Sequence, residues 1–131
     1  MAAVKNVARR GPGGGCEAIV VHCMDYRLQI HLKKWLEASL DANSFDLVSI
    51  AGGVYDLYDV IRQVDMAVRL HDVGKAILIN HEDCGAYGLE STDERHETDL
   101  RHARDKLNRL FPQLQVDLYY LGLDGRFEAI D

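Results

Sequence analysis

Apolar residues recur along this chain in two rhythms, short continuous runs and stripes at helical spacing, and the two alternate. Glu17 to His22 reads EAIVVH, a β-branched run suited to a strand buried on both faces. From Arg27 to Asp41, residues Leu28, Leu32, Trp35, Leu36 and Leu40 form one helical stripe. Phe45 to Ala51 (FDLVSIA) predicts a second strand, ended by Gly52-Gly53. Asp56 to His71 predicts a second helix, with Leu57, Val60, Ile61, Val64 and Val68 on one stripe and a stop at Asp72 to Gly74. Lys75 to Asn80 (KAILIN) reads as a third buried strand, and Cys84 to Ser91 as irregular chain. A polar helix is expected from about Asp93 to Phe111, turning Leu100, Ala103, Leu107 and Leu110 inward and closed by Pro112. Ser91 and Glu94 stand at capping-box spacing at its start. QVDLYYLGL and RFEAI flank Asp124-Gly125, a strong hairpin signal.

Three rounds of strand and helix predict an α/β fold. Its central, mostly parallel sheet has about four strands flanked by helices, with an antiparallel C-terminal edge strand. Residues 17–131 are expected to form a single domain, and residues 1–16, with their Gly and Pro content, a flexible tail. The chain has 131 residues and is 47% hydrophobic, which suits a real core and excludes disorder as a reading of the whole. No apolar run approaches the roughly 20 residues needed to cross a bilayer. The basic N-terminal stretch has no apolar segment behind it, so it does not read as a secretory signal, and a cytoplasmic protein is expected. A net charge of −6 with no basic block argues against a nucleic-acid partner. Three cysteines without an export signal favour thiols or metal ligation over a disulfide framework.

In open α/β sheets, sites form at the carboxyl ends of strands. That rule selects Cys23–Arg27, Ala51–Val54 and His81–Gly88. Cys23, His81 and Cys84 offer two thiolates and an imidazole, a set that suits Zn²⁺ and leaves a fourth tetrahedral position for water. Asp25 and Arg27, two apart in an extended exit from the strand, can lie on one side. Read from the residues alone, alternatives stay open. A cysteine ending a buried strand is often an inert core residue, and Asp25 with Arg27 is also an ordinary surface ion pair. The argument for metal is convergence on one edge of the sheet. A cysteine phosphatase is excluded, because Arg27 follows Cys23 by four positions where a phosphate loop needs six.

Cys23-Met24-Asp25-Tyr26-Arg27 matches the Cys-x-Asp-x-Arg motif of beta-class carbonic anhydrases, and His81-Glu82-Asp83-Cys84-Gly85-Ala86 matches their His-x-x-Cys-Gly-Ala motif. Ile50-Ala51-Gly52-Gly53 is similar to the glycine turn between them. From about Ala18 to Ile130 the chain resembles that family, as one of its short members. The resemblance implies one Zn²⁺ per chain, held by Cys23, His81 and Cys84 within the 17–131 domain. It implies catalysis of the reversible hydration of carbon dioxide to bicarbonate and a proton, with Asp25 and Arg27 as the catalytic dyad. In relatives the dyad aspartate can also leave its arginine and take the metal's fourth position.

Carbon dioxide is small and apolar, so hydrophobic groups should line its pocket. Met24, Tyr26, Val54, Tyr55 and Tyr87, with Gly52, Gly53 and Gly85, lie beside the motif positions and are the candidates. Met24 and Tyr26 stand where many family members have serine. His22, His31, His96 and His102 are candidate proton carriers, the last two expected on an exposed helix face. The resemblance further implies a homodimer or higher homo-oligomer, and Val54, Leu57, Tyr58 and Ile61 supply a possible interface. Two other functions fit the same motifs. One is a same-fold zinc hydrolase of carbonyl sulfide or carbon disulfide, and the other a non-catalytic zinc-binding or regulatory homologue with Asp25 kept on the metal.

Overall fold

A strand buried along its whole length, β1 (Ala18–Cys23), carries the β-branched run Ile19-Val20-Val21. The computed structural model describes residues 15–131, so nearly all of the tail expected at 1–16 lies outside the described residues. After β1 come α1 (Gln29–Ser39), β2 (Phe45–Ile50), α2 (Leu57–His71), β3 (Lys75–His81), α3 (Asp93–Leu110), β4 (Gln115–Leu121) and β5 (Phe127–Ile130). The five strands form one sheet in the order β2-β1-β3-β4-β5. The first four are parallel, and β5 closes the edge antiparallel to β4. The fold is the mixed α/β sheet that the alternation predicts.

Alternation along β1 and β3 divides the core into two layers. Ile19, Val21, Ala76 and Leu78 pack on the face covered by α2 and α3, through Val60, Val64, Ala67, Leu100, Ala103 and Leu107. Ala18, Val20, Ile77 and Ile79 pack on the other face, against Leu32 and Leu36 of α1 and Leu28 just before it. Burial on both faces explains why these strands read as continuous apolar runs rather than alternating ones. Trp35 joins α1 to the terminal hairpin, stacking on Phe127 at 4.6 Å between centroids and meeting Tyr119 edge-on at 4.8 Å.

Several boundaries shift by a residue or two from the sequence reading, and three of the differences bear on the site. The first helix begins at Gln29, because Tyr26–Leu28 forms a 3-10 turn capped by the Asp25 side chain. The third strand runs one residue further, to His81. The cap of α3 is Thr92, whose side chain accepts the Arg95 N–H at 3.1 Å, and Ser91 turns inward instead. Among the described residues no helix is long and apolar enough to cross a membrane.

Candidate metal centre

Because β1 and β3 are parallel neighbours, their carboxyl ends deliver Cys23 and His81 to the same place. The chain then leaves β3 through Asp83, at φ 57°, and comes round so that Cys84 faces back toward them. The two sulfurs and a ring nitrogen of His81 all lie within 4.8 Å of one another, and all three residues are buried. His81 Nδ1 is 2.7 Å from the Glu82 carbonyl oxygen. A carbonyl only accepts, so Nδ1 carries the hydrogen and Nε2 keeps a free lone pair. Among the described residues, His81 Nε2 is the buried side-chain polar atom that finds no hydrogen-bond partner. Such an orphan costs about 1–3 kcal/mol unless something satisfies it. A metal ion among two sulfurs and an imidazole would do so, and the donor set suits zinc.

Charge supports the same reading. Burial opposes ionisation of Cys23, but the neighbouring His81 and the Gly52 N–H outweigh it and bring the thiol down to about 7. Burial pushes the Cys84 thiol up, and the nearby Cys23 sulfur adds to this. Burial also works against a charged His81, yet the Cys23 sulfur raises it overall. Two sulfurs so close cannot both ionise readily without a cation between them.

The turn after β2 closes a second wall. Gly52 donates its N–H to Cys23 Sγ at 3.3 Å. Both glycines have positive φ, 86° for Gly52 and 62° for Gly53, and neither has room for a side chain. A Cβ on Gly53 would stand 2.5 Å from Asn80 Oδ1 and 2.8 Å from the Ile79 carbonyl oxygen.

Asp25 and Arg27 form a two-pronged pair. Arg27 donates from Nε to Asp25 Oδ1 at 3.1 Å and from its terminal nitrogen to Oδ2 at 2.7 Å. The Arg27 backbone N–H reaches Oδ1 as well, at 2.9 Å. These bonds from Arg27 hold the Asp25 carboxyl down at about 2, and its Oδ2 lies 3.9 Å from His81 Nε2. The guanidinium has a further partner that the sequence reading missed. It donates to the Asp83 carboxylate at 3.1 Å and to the Asp83 carbonyl at 2.8 Å, joining the exit of β1 to the exit of β3.

Behind the sulfurs lies a buried polar chain. Val54 N–H donates to Asn80 Oδ1 at 3.0 Å, which fixes the amide so that Asn80 Nδ2 donates to Tyr87 Oη at 3.0 Å and to His96 Nδ1 at 2.9 Å. His96 must then carry its hydrogen on Nε2 and donate it to Ser91 Oγ at 2.9 Å. The same Ser91 oxygen accepts the Cys84 N–H at 2.9 Å. His96 is fully buried, and burial lowers its pKa to about 4. This corrects the expectation of an exposed helical histidine. The signal was present: His96 lies four residues before Leu100, on the stripe that continues through Ala103 and Leu107.

The structure divides the expected pocket residues. Gly52, Gly53, Val54 and Tyr87 are buried beside the centre, Tyr87 against both sulfur residues. Met24, Tyr26, Tyr55 and Gly85 face solvent, Tyr26 almost entirely at 85% exposure. His22, a candidate proton carrier, is buried with Nδ1 on the Cys23 carbonyl at 2.8 Å. His102 is exposed on α3.

Known proteins share the chain's sequence family and its fold. Residues 14–131 match a family described as "Putative carbonic anhydrase". An uncharacterized protein of Rickettsia conorii is 28% identical over 131 residues, covering 86% of this chain and 70% of that one. Among solved structures, carbonic anhydrase from Streptococcus mutans superposes with a TM-score of 0.66 at 18% identity, over 87% of this chain and 81% of that one. A carbon disulfide hydrolase superposes with a TM-score of 0.56 at 14% identity, over 87% and 78%.

Proposed function

The chain belongs to the family described as "Putative carbonic anhydrase", and from that premise we propose that it is a zinc enzyme hydrating carbon dioxide reversibly to bicarbonate and a proton. Cys23, His81 and Cys84 would hold one Zn²⁺. The observation that carries the reading is the buried, unpartnered His81 Nε2 between two cysteine sulfurs, beside a carboxylate whose two oxygens are both held by Arg27. When bound, zinc supplies a Lewis acid that makes a water nucleophilic near neutral pH.

The chain's own residues do the rest. Asp25 is ionised at any physiological pH, so it accepts a hydrogen bond from a water in the site and orients it. So acidic a carboxyl does not keep a proton, and Asp25 is therefore an orienting group and not the base. Arg27, anchored on Asp83, keeps Asp25 turned to one side, which favours a site open to solvent over one in which Asp25 is a permanent ligand. With His22 and His96 buried, the released proton passes to solvent or buffer. Apolar Met24, Tyr26, Tyr55 and Tyr58 stand exposed around the mouth and on α2, which supports a homo-oligomer whose second subunit covers them.

The test is metal analysis with carbon dioxide hydration kinetics on the native chain and on Cys84→Ser. Loss of the zinc held at this centre together with turnover is expected, and a zinc content equal to that of the native chain would remove Cys84 from the ligand set. The fold shared with a carbon disulfide hydrolase supports a second reading, hydrolysis of carbonyl sulfide or carbon disulfide. Parallel assays on the three molecules separate them.

A further inference from the structure

At the opposite end of the sheet, three segments distant in sequence bring together another set of metal-binding side chains. Cys16 precedes β1, Asp46 is the second residue of β2, and His71 is the last residue of α2. Their ligand atoms all lie within 4.8 Å of one another. We propose that Cys16, Asp46 and His71 form a second site, for a divalent transition-metal ion of the zinc class, open to solvent and separate from the centre at Cys23. The proposal does not depend on the carbonic anhydrase reading.

The local structure explains the convergence. Asp46 has the same parity as Val48 and Ile50, which pack with the cluster beneath α2, so its side chain emerges on the face where α2 ends. His71 Nδ1 is 2.7 Å from Asp46 Oδ2, and that contact is the ion pair Asp46 makes among the described residues. Cys16 packs against the rim of the same cluster, its thiol 3.4 Å from the Ala18 carbonyl and close to the Asp46 carboxylate. A carboxylate beside a thiol favours its protonated form. Burial and the Asp46 charge both push the Cys16 thiol up. A cation would reverse that relation by bridging sulfur, carboxylate and imidazole. The carboxyl end of α2, with its unpaired carbonyls, adds negative potential at the same corner.

One thiolate, one imidazole and one carboxylate are a borderline-soft set, suited to zinc or cobalt and poorly suited to calcium or magnesium. Binding forms a metal–sulfur bond with loss of the Cys16 thiol proton to solvent. The His71 hydrogen now on Nδ1 moves to Nε2, and Nδ1 becomes a ligand in its place. His71 is exposed, so the new Nε2–H meets water. Solvent completes the coordination.

The experiment titrates the whole chain with Zn²⁺ and with Co²⁺, reading stoichiometry by native mass spectrometry and thiolate–cobalt absorption by spectroscopy. The native chain should bind two ions, and Cys16→Ser and His71→Ala one each. Cys84→Ser should also retain one ion, giving a single-thiolate cobalt spectrum that disappears in the Cys16→Ser/Cys84→Ser double variant. That result upholds the site even if the chain never hydrates carbon dioxide. A native chain that stops at one ion, unchanged by Cys16→Ser and lost with Cys84→Ser, overturns the second site and leaves the first reading intact. Retention of two ions in both Cys16→Ser and His71→Ala overturns it as well.

Discussion

The two ends of the sheet carry similar residues in different circumstances. At the carboxyl end, Cys23, His81 and Cys84 are buried, and each is held by the surrounding chain. Gly52 N–H donates to the Cys23 sulfur, the Glu82 carbonyl fixes His81, and Ser91 accepts the Cys84 N–H. At the amino end, Cys16, Asp46 and His71 meet with comparable ligand atoms but only one firm contact, the Asp46–His71 pair, which is already satisfied without a metal. Ligand type therefore does not distinguish the ends. What distinguishes them is how far the protein has oriented the ligands in advance, and outer-shell bonds of that kind are commonly worth about 10–100-fold in affinity or activity.

The largest effect that would sharpen the contrast comes from removing a buried residue of the proposed ligand set. His81→Ala should lose the ion of the Cys23 centre and, with it, carbon dioxide hydration to the limit of detection, measured by metal analysis and stopped-flow kinetics. Next comes Arg27→Ala, which frees Asp25 without touching a ligand. Zinc should remain bound while kcat falls roughly 10- to 100-fold, the size usual for losing an orienting partner. The Asp25 carboxyl should also rise from about 2 toward its ordinary range, so the variant would lose activity at a higher pH on acidification.

A third effect concerns the buried chain behind the sulfurs. His96 stays neutral in the folded protein down to pH about 4, because burial disfavours its charged form, whereas an unfolded histidine titrates near 6.5. Between those values the unfolded chain binds the additional proton. Stability should therefore fall as pH drops from about 6.5 to 4, by up to about 3 kcal/mol, with no further loss from this group below that. Urea unfolding across this range measures it, and His96→Leu should flatten the slope. Gly53→Ala comes next, with a positive φ and no space beside Asn80. It should cost about 2 kcal/mol in the same assay. The smallest effect belongs to the amino end, where His71→Ala without metal breaks only an exposed pair and should cost less than about 1 kcal/mol. A loss there as large as that of Gly53→Ala would break the comparison.

Much of this protein was legible from local pattern. Continuous apolar runs specified strands buried on both faces, stripes at helical spacing specified the helices, and each depends only on neighbours in sequence. Cys23, Asp25 and Arg27 are close together in the chain, as are His81 and Cys84, and their spacing marked out a candidate site at strand ends. Tertiary structure decided the contacts between residues far apart in sequence. Asp83 stands 56 positions from Arg27, His96 is 16 from Asn80, and Asp46 is 25 from His71. Motif spacing carries no information on such pairs, because their distance is set by strand order and by the angle at which helices return to the sheet. Ser91 shows the same limit on a smaller scale. Its position suited a helix cap, but burial of His96 turned it inward to support Cys84. Hydrogen-bond demand inside the core, invisible to any local window, determined its role.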